Sequence, residues 1–412
     1  MELEEAVGLF ADAARYKRRH ETADLGRCHG RITASDITAP IDVPHFPKSA
    51  MDGYAVRACD TAGAGDEPVR LTVSGKVFAG EDIIIPEGAA GAVGTEGTAV
   101  RIMTGARVPD GYDAVVRQED TDYNEQVVTI KRSVVPYTNY CRVGEDIVKG
   151  SLVIKEGTRL GREDIGVLAS LGIPEADVLA PLKVSIISTG CELVDPADSS
   201  GMLPGGKIYN SIAYMLKASV EAAGFTADAE ICPDDANIIT DAIINAARRS
   251  DIIITTGGVS VGERDLLPEV VGSLGAETIF YKVNIQPGTP TMGSIYNGIP
   301  ILSLSGNPYA ALVNYDWYFW PLVCRMTGCG DLLLKTVDAV SASDYPKKNH
   351  MRRFLRARYE NGMVTIPQTH ASSVLSNLTG CNCYIDLPEG TSIAEGDTVK
   401  IIMMPYDNAR NR

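Results

Sequence analysis

Asp251 to Asp265, Asp-Ile-Ile-Ile-Thr-Thr-Gly-Gly-Val-Ser-Val-Gly-Glu-Arg-Asp, decides the fold class of this 412-residue chain. Asp251 to Ile254 runs through three β-branched isoleucines without a polar interruption, which suits a strand buried on both faces. It discharges into Thr255, Thr256, Gly257 and Gly258. A glycine pair lets the backbone take φ > 0 and leaves no Cβ to hold a ligand away. Amides and hydroxyls gathered at the carboxyl end of a parallel strand form an oxyanion or phosphate cradle. Taken alone, the loop favours a tight β–α turn, with Asp265 capping a helix that begins at Leu266.

The flanking sequence changes that balance. Lys183–Ser188 reads as a strand opening into Thr189-Gly190-Cys191-Glu192, followed by a helix from Ser211 to Ala223. Ala227–Cys232 is the next strand, and Asp235 to Arg249 the next helix. Beyond the central loop come a helix near Leu266–Leu274 and strands at Phe280–Ile285, Thr291–Tyr296 and Ile301–Leu304. The last of these ends in Ser305-Gly306-Asn307-Pro308. This βαβ rhythm predicts a mostly parallel, doubly wound sheet whose ligand crevice lies at the carboxyl ends of its strands. Glu192, Asp234, Gly257–Asp265 and Gly306-Asn307 all fall at such ends, and their convergence outweighs any single motif.

Residues 2–19 carry a helical apolar stripe of Leu3, Ala6, Val7, Phe10, Ala13 and Ala14. Arg15 to Arg19 then reads as the basic C-terminus of that helix. Residues 49–148 are glycine-rich, with β-prone runs at Arg70–Val73, Ile83–Ile85, Ala114–Arg117 and Val127–Ile130, as in a small β domain. Within it Asp52-Gly53 and Thr104-Gly105 are turn dipeptides that also offer a carboxylate and a hydroxyl. A helix is expected from Glu163 to Leu171, and Tyr309 to Met326 is a dense aromatic helix, mostly core and in part a subunit interface. Phe354–Tyr359, Met363–Ile366, Tyr384–Leu387 and Val399–Met403 predict a final β domain. The expected segments are therefore 1–48 with 149–180, 49–148, 181–328 and 329–412.

Composition narrows the function classes. Apolar residues make up 45% and charged residues 22%, as in ordinary globular proteins. No apolar run reaches 18 residues, so no membrane partner is expected. The acidic Met-Glu-Leu-Glu-Glu opening lacks a secretory pattern, which predicts a cytoplasmic protein. A net charge of −15 argues against nucleic acid as a partner. It also requires that any anionic ligand meet local positive charge or a metal. The nine cysteines include no CxxC and read as free thiols; Cys381 and Cys383 would share one strand face.

The assembled motifs resemble the MoeA family and the gephyrin E domain, the molybdopterin molybdenumtransferases. The resemblance runs through Gly26-Arg27 to Asp36-Ile37, Ser49–Val56, Arg101–Ala106, Gly144-Glu145-Asp146-Ile147 and Ser188–Leu193. It continues through Thr255–Asp265, Pro287-Gly288, Gly306-Asn307-Pro308 and Arg352–Arg356. It implies an α/β multidomain protein: a doubly wound molybdopterin-binding sheet domain, two smaller β domains and an N-terminal helical segment. It further implies an elongated homodimer with its active site between the sheet domain of one subunit and the small β domain of the other. Molybdate and adenylylated molybdopterin would be the substrates, Mg²⁺ the cofactor and AMP a product. Transfer partners would be cofactor-synthesis enzymes and apo-molybdoenzymes.

Carried over by motif, the catalytic set is Asp52, Thr104, Glu192, Asp234, Asp265 and Lys282, with Asp146 at a hinge. Glu192, Asp234 and Asp265 would also hold the metal. Gly257, Gly258, Ser260, Gly306, Asn307, Pro308, Arg352, Arg356 and Ser372 would bind substrate. Clustered acids suit a metal-bridged anion, because Mg²⁺ takes one or two carboxylates together with phosphate oxygens. The chain departs from the family at Gln286 and Thr289, where lysines are common, at Ser305, and in the shortened basic run Cys141-Arg142-Val143. The two lost cations predict a higher molybdate requirement. A stand-alone adenylyltransferase would lack the flanking β domains, while a silent pterin-binding scaffold would be consistent with the lost lysines.

Overall fold

The computed structural model describes residues 1–85, 87, 91–198, 203–260 and 265–405. The chain forms two compact units, one of Met1–Ser35, Glu156–Ile165 and Glu175–Arg412, the other of Asp36–Lys155 and Gly166–Pro174. The segments 181–328 and 329–412 lie together in the first unit. They share a core that runs from Leu3 and Phe10 through Trp320 to Phe354, Tyr384 and Ile402.

The first unit is built on a six-stranded sheet in the order Thr226–Cys232, Lys183–Thr189, Ile252–Thr256, Ile299–Leu304, Met292–Tyr296, Glu277–Tyr281. The first four strands are parallel, and the last two pairings are antiparallel because Met292–Tyr296 alone runs against the others. Every residue of the 252–256 strand is buried, as its unbroken apolar run requires. Strand alternation divides its isoleucines between two cores. Ile252 and Ile254 face the helices Ser211–Ala222 and Pro308–Thr327; Ile253 faces Ala236–Arg249 and Leu267–Ser273. Covering both faces in this way is what makes the sheet doubly wound.

A second sheet closes on itself. Arg352–Glu360, Met363–Thr365, Thr336–Ser341, Thr398–Met403 and Cys383–Leu387 follow in order, and the last pairs back with the first. Cys381 and Cys383 are both buried free thiols, and burial pushes the Cys383 thiol up to about 12. In the second unit a five-stranded sheet is ordered Ala114–Arg117, Gly53–Val56, Thr98–Ile102, Val69–Val77, Val127–Ile130.

Three expectations need correction, and one strand was not expected. The first helix stops at Ala13, so Arg15 to Arg19 are not its last turn. Arg18 Nε instead donates to Met326 O, near the C-terminal end of the 308–327 helix, and Arg19 pairs with Asp251 at 2.6 Å. The Phe280–Ile285 run splits between Glu277–Tyr281 and Ile285–Gln286, because Lys282 takes φ +61° between them. Ile83–Ile85 is not a strand; Ile84 makes only an isolated bridge to Lys76. The strand Thr336–Ser341, with exposed Val337 and Val340, has too weak an alternation to be found by pattern.

Candidate functional site

Four loops meet at the carboxyl ends of the parallel strands. Register places Thr189 beside Cys232, Ser188 beside Thr256, and Thr256 beside Leu304. Gly190, Gly257 and Ser305 therefore leave the sheet at a common level. They border a half-open pocket of about 90 Å³ whose lining includes Thr189, Glu192, Tyr209, Gly257, Gly306 and Pro308. Gly257 is required here on two counts. Its φ is +89°, and a Cβ would stand 2.4 Å from Thr189 O. Gly306 has a different reason, since a Cβ there would make only ordinary van der Waals contacts, with Gly257 Cα at 3.5 Å and Gly257 N at 3.9 Å.

The cradle is held from below by buried hydroxyls. Thr256 Oγ1 donates to Ser188 Oγ at 3.0 Å, and Thr189 Oγ1 to Thr256 O at 3.3 Å. The Gly257 amide is spent on Leu304 O, so this residue contributes close approach and not a donor. Gly258 accepts from Leu267 N. The helix begins at Leu267 with Leu266 as its N-cap residue, so Asp265 is not the cap that the turn reading expected. Ser260 is exposed, Asp265 half-buried, and residues 261–264 of the motif lie outside the described residues.

Two residues outside the quoted motifs, Tyr281 and Lys207, brace these loops. Tyr281 donates its hydroxyl to Ser260 O at 2.8 Å, while Lys282 Nζ lies 5.0 Å from the Tyr281 ring centre. Lys207 Nζ donates to Cys191 O. Arg353 donates to Gln286 Oε1 at 3.1 Å, which sets a guanidinium beside one of the positions where lysine was expected. Only the Ile208-Tyr209 apolar pair after Lys207 offered a signal in the sequence.

The acids are distributed as follows. Asp234 accepts from Cys191 N at 3.1 Å, and Glu192 is exposed on the next residue of that loop. Neighbouring Asp235 caps the 236–249 helix by accepting from Asn237 N and Ile238 N. Among the described residues no three His, Cys, Asp or Glu side chains gather closely enough to form a metal cage. Carboxylates are the donor type that Mg²⁺ takes, but Glu192, Asp234 and Asp265 do not gather into one set among the described residues.

Asn307, Arg352, Arg356 and Ser372 form a second group in the same unit. Asn307 Nδ2 donates to Ser372 Oγ at 2.9 Å, while Asn307 Oδ1 is buried without a partner. Arg356 is fully buried, grips Ala371 O and Val374 O, and stacks 4.1 Å from the Tyr309 ring centre. In this conformation it shapes the 371–374 loop and presents no surface to a ligand. Arg352 makes two 2.7 Å bonds to Asp386 and one of 2.6 Å to Glu4, which hold its guanidinium firmly in the charged form. Thr289 Oγ1 is bound to Ile285 O at 2.7 Å.

In the second unit Asp52 and Thr104 come together although 52 residues separate them. Asp52 Oδ1 accepts from Thr104 N at 2.7 Å and from Thr104 Oγ1 at 2.8 Å. The amide bond first, and the hydroxyl second, hold this carboxyl below its usual range. Gly53 permits the close approach of the Ala114–Arg117 strand, since a Cβ would lie 1.9 Å from Val116 O. Asp146 is exposed, with its amide on Val43 O at 3.0 Å.

Comparison with known proteins places the chain in a family. Residues 1–172 match the MoeA N-terminal region (domain I and II), 185–324 a probable molybdopterin binding domain, and 338–404 the MoeA C-terminal region (domain IV). The fold and its strand-end pocket thus define a multidomain α/β protein with the molybdopterin-binding-domain architecture. A molybdopterin molybdenumtransferase of Bacillus subtilis (strain 168) is 37% identical over 394 residues, covering 92% of this chain and 88% of the relative. One from Staphylococcus aureus (strain MSSA476) is 34% identical over 395 residues, covering 94% and 92%. The crystal structure of a molybdopterin biosynthesis MoeA protein from Pyrococcus horikoshii OT3 superposes with TM-score 0.84 at 30% identity, covering 98% of this chain and 100% of that one. The chain belongs to the MoeA family of molybdopterin molybdenumtransferases, enzymes of molybdenum cofactor biosynthesis.

Proposed function

We propose that the protein inserts molybdate into adenylylated molybdopterin and releases AMP in a Mg²⁺-dependent reaction. The observation that carries this reading is the pocket at the strand ends, where Gly306 leaves the backbone open to a ligand beside the Glu192 carboxylate. Cleaving a phosphate anhydride is chiefly a matter of positioning and charge neutralisation. Gly257, Gly306 and Pro308 line the surface that would receive the substrate, and Gly258, Ser260 and Lys282 would bind it from the neighbouring loops. Glu192, Asp234 and Asp265 would hold Mg²⁺, which supplies positive charge to the phosphate oxygens. Asp52, kept ionised by Thr104, supplies a fixed carboxylate, and Asn307 with Ser372 offers an amide and a hydroxyl to an oxyanion. The protein works as a cytoplasmic homodimer and passes its product to other cofactor-synthesis enzymes or apo-molybdoenzymes.

One observation favours a second reading, a silent pterin-binding scaffold. Gln286 and Thr289 carry no charge and are both spent on internal hydrogen bonds. Incubation with adenylylated molybdopterin, molybdate and Mg²⁺, with AMP followed by chromatography, separates the two. A transferase releases AMP over many turnovers. A scaffold binds the pterin and releases none, and an adenylyltransferase instead consumes ATP with free molybdopterin.

A further inference from the structure

Lys207 stands at the pocket rim, outside the motifs that identify the family. It is exposed, and it directly precedes the pocket-lining pair Ile208 and Tyr209. Its ammonium donates to the carbonyl of Cys191, the residue between Gly190 and the pocket-lining Glu192. The Cys191 peptide is thereby held from both sides, its N–H by Asp234 and its C=O by Lys207. The Ile208 amide adds a bond to Glu192 O at 2.9 Å. The loop bearing the pocket acids is thus tied to the segment that carries Lys207.

The charge at this rim is otherwise unfavourable to an anion. Glu192 and Asp234 flank Cys191, Asp195 follows, and the chain as a whole carries −15. A phosphate approaching such a surface is repelled unless a cation stands at the point of entry. An ammonium has three donor hydrogens, and one carbonyl occupies one of them.

We propose that Lys207 is a substrate-binding residue that contacts the phosphate oxygens of the nucleotide half of the substrate. This rests on the anionic adenylylated substrate proposed above. The lysine offsets the neighbouring carboxylates, orders the Gly190–Glu192 loop, and binds the anion with its remaining donors.

The test uses the full-length protein with AMP as probe, titrated calorimetrically in Mg²⁺ at several salt concentrations. Charge-assisted bonds of this kind are worth roughly tenfold or more in affinity. Lys207→Gln is expected to weaken AMP binding by about that factor and to flatten its salt dependence. Lys207→Arg should restore most of both. In turnover, Lys207→Gln should raise KM for adenylylated molybdopterin with little change in kcat.

A lysine that only ties the loop gives a different pattern. Affinity and kcat would fall together, and the salt slope would stay that of the wild type, which overturns the proposal. Equal AMP affinity in wild type and Lys207→Gln, with unchanged circular dichroism, overturns it as well while leaving the proposed function standing. A wild-type protein that binds no AMP overturns the lysine contact, while the proposed function is judged separately by AMP release in turnover.

Discussion

Gly257 and Gly306 separate what the fold needs from what the ligand needs. Gly257→Ala forces a Cβ against Thr189 O at φ +89° and should cost about 1–3 kcal/mol, read as a lower melting temperature. Gly306→Ala has room, so stability should stay within about 0.5 kcal/mol while substrate binding weakens because the methyl intrudes on the pocket. Equal melting losses in both variants would contradict this division. Asp265 lies one residue before the N-cap position Leu266, and its charge is proposed to serve the metal. Asp265→Asn should therefore reduce Mg²⁺-dependent turnover by more than roughly tenfold; normal turnover would remove it from the site. Asp52 gives a pH prediction. Its folded pKa is depressed, so its stabilising contribution is present above the unfolded value and is lost as pH falls through the folded one. Thr104→Ala removes the hydroxyl bond and should shift the Asp52 carboxyl titration upward when followed by NMR, whereas an unmoved titration would leave the amide as the sole cause. At this scale the sequence revealed Asp52, Thr104 and the glycines, because turn chemistry is local. It gave no signal for Tyr281, whose partner lies 21 residues away.

The 308–327 helix shows how one element joins two sheets. Its Asp316 is 2% exposed and accepts from Tyr384 on the closed sheet at 2.6 Å and from Trp320 at 3.1 Å. Burial pushes its carboxyl from 3.8 up to about 7, a shift that the two hydrogen bonds only partly oppose. The unfolded chain loses this proton near pH 4 and the folded chain near 7. Stability from this group is therefore full below about pH 4 and declines as pH rises toward 7. Asp316→Asn keeps an acceptor for Trp320 and a donor for Tyr384, and should abolish that decline. Melting temperatures of the two proteins between pH 4 and 8 should converge at low pH and diverge at high pH in favour of the variant. A constant difference would mean that Asp316 is already ionised when folded. Elements with strong periodicity, such as Ser211–Ala222 and Ala236–Arg249, were legible to within a residue or two. The early end of the first helix was not, because it depends on Arg18 finding a carbonyl at the end of another helix, 308 residues away. The closed sheet was legible only as separate strands, since closure depends on pairing between Arg352–Glu360 and Cys383–Leu387.

For the whole molecule, two sheets with one shared core make up the first unit, and a five-stranded sheet organises the second. Among the described residues no helix is long and apolar enough to cross a membrane. The order of motifs made the family legible, because backbone demands at Gly53, Gly257 and the Thr104 turn are met by few residue types. What the motifs could not reveal was how their cations and acids are engaged. Arg352 and Arg356 looked like substrate ligands, yet both are held by partners within the protein. The central claim is that AMP release is coupled to metal insertion. Its most direct test counts both products in one reaction, using isotopically labelled molybdate, Mg²⁺ and adenylylated molybdopterin. Equal amounts of AMP and of pterin-bound molybdenum are expected, with both falling when Mg²⁺ is chelated. AMP released without molybdenum entering the pterin, or no AMP from a folded protein that binds the substrate, would contradict the account.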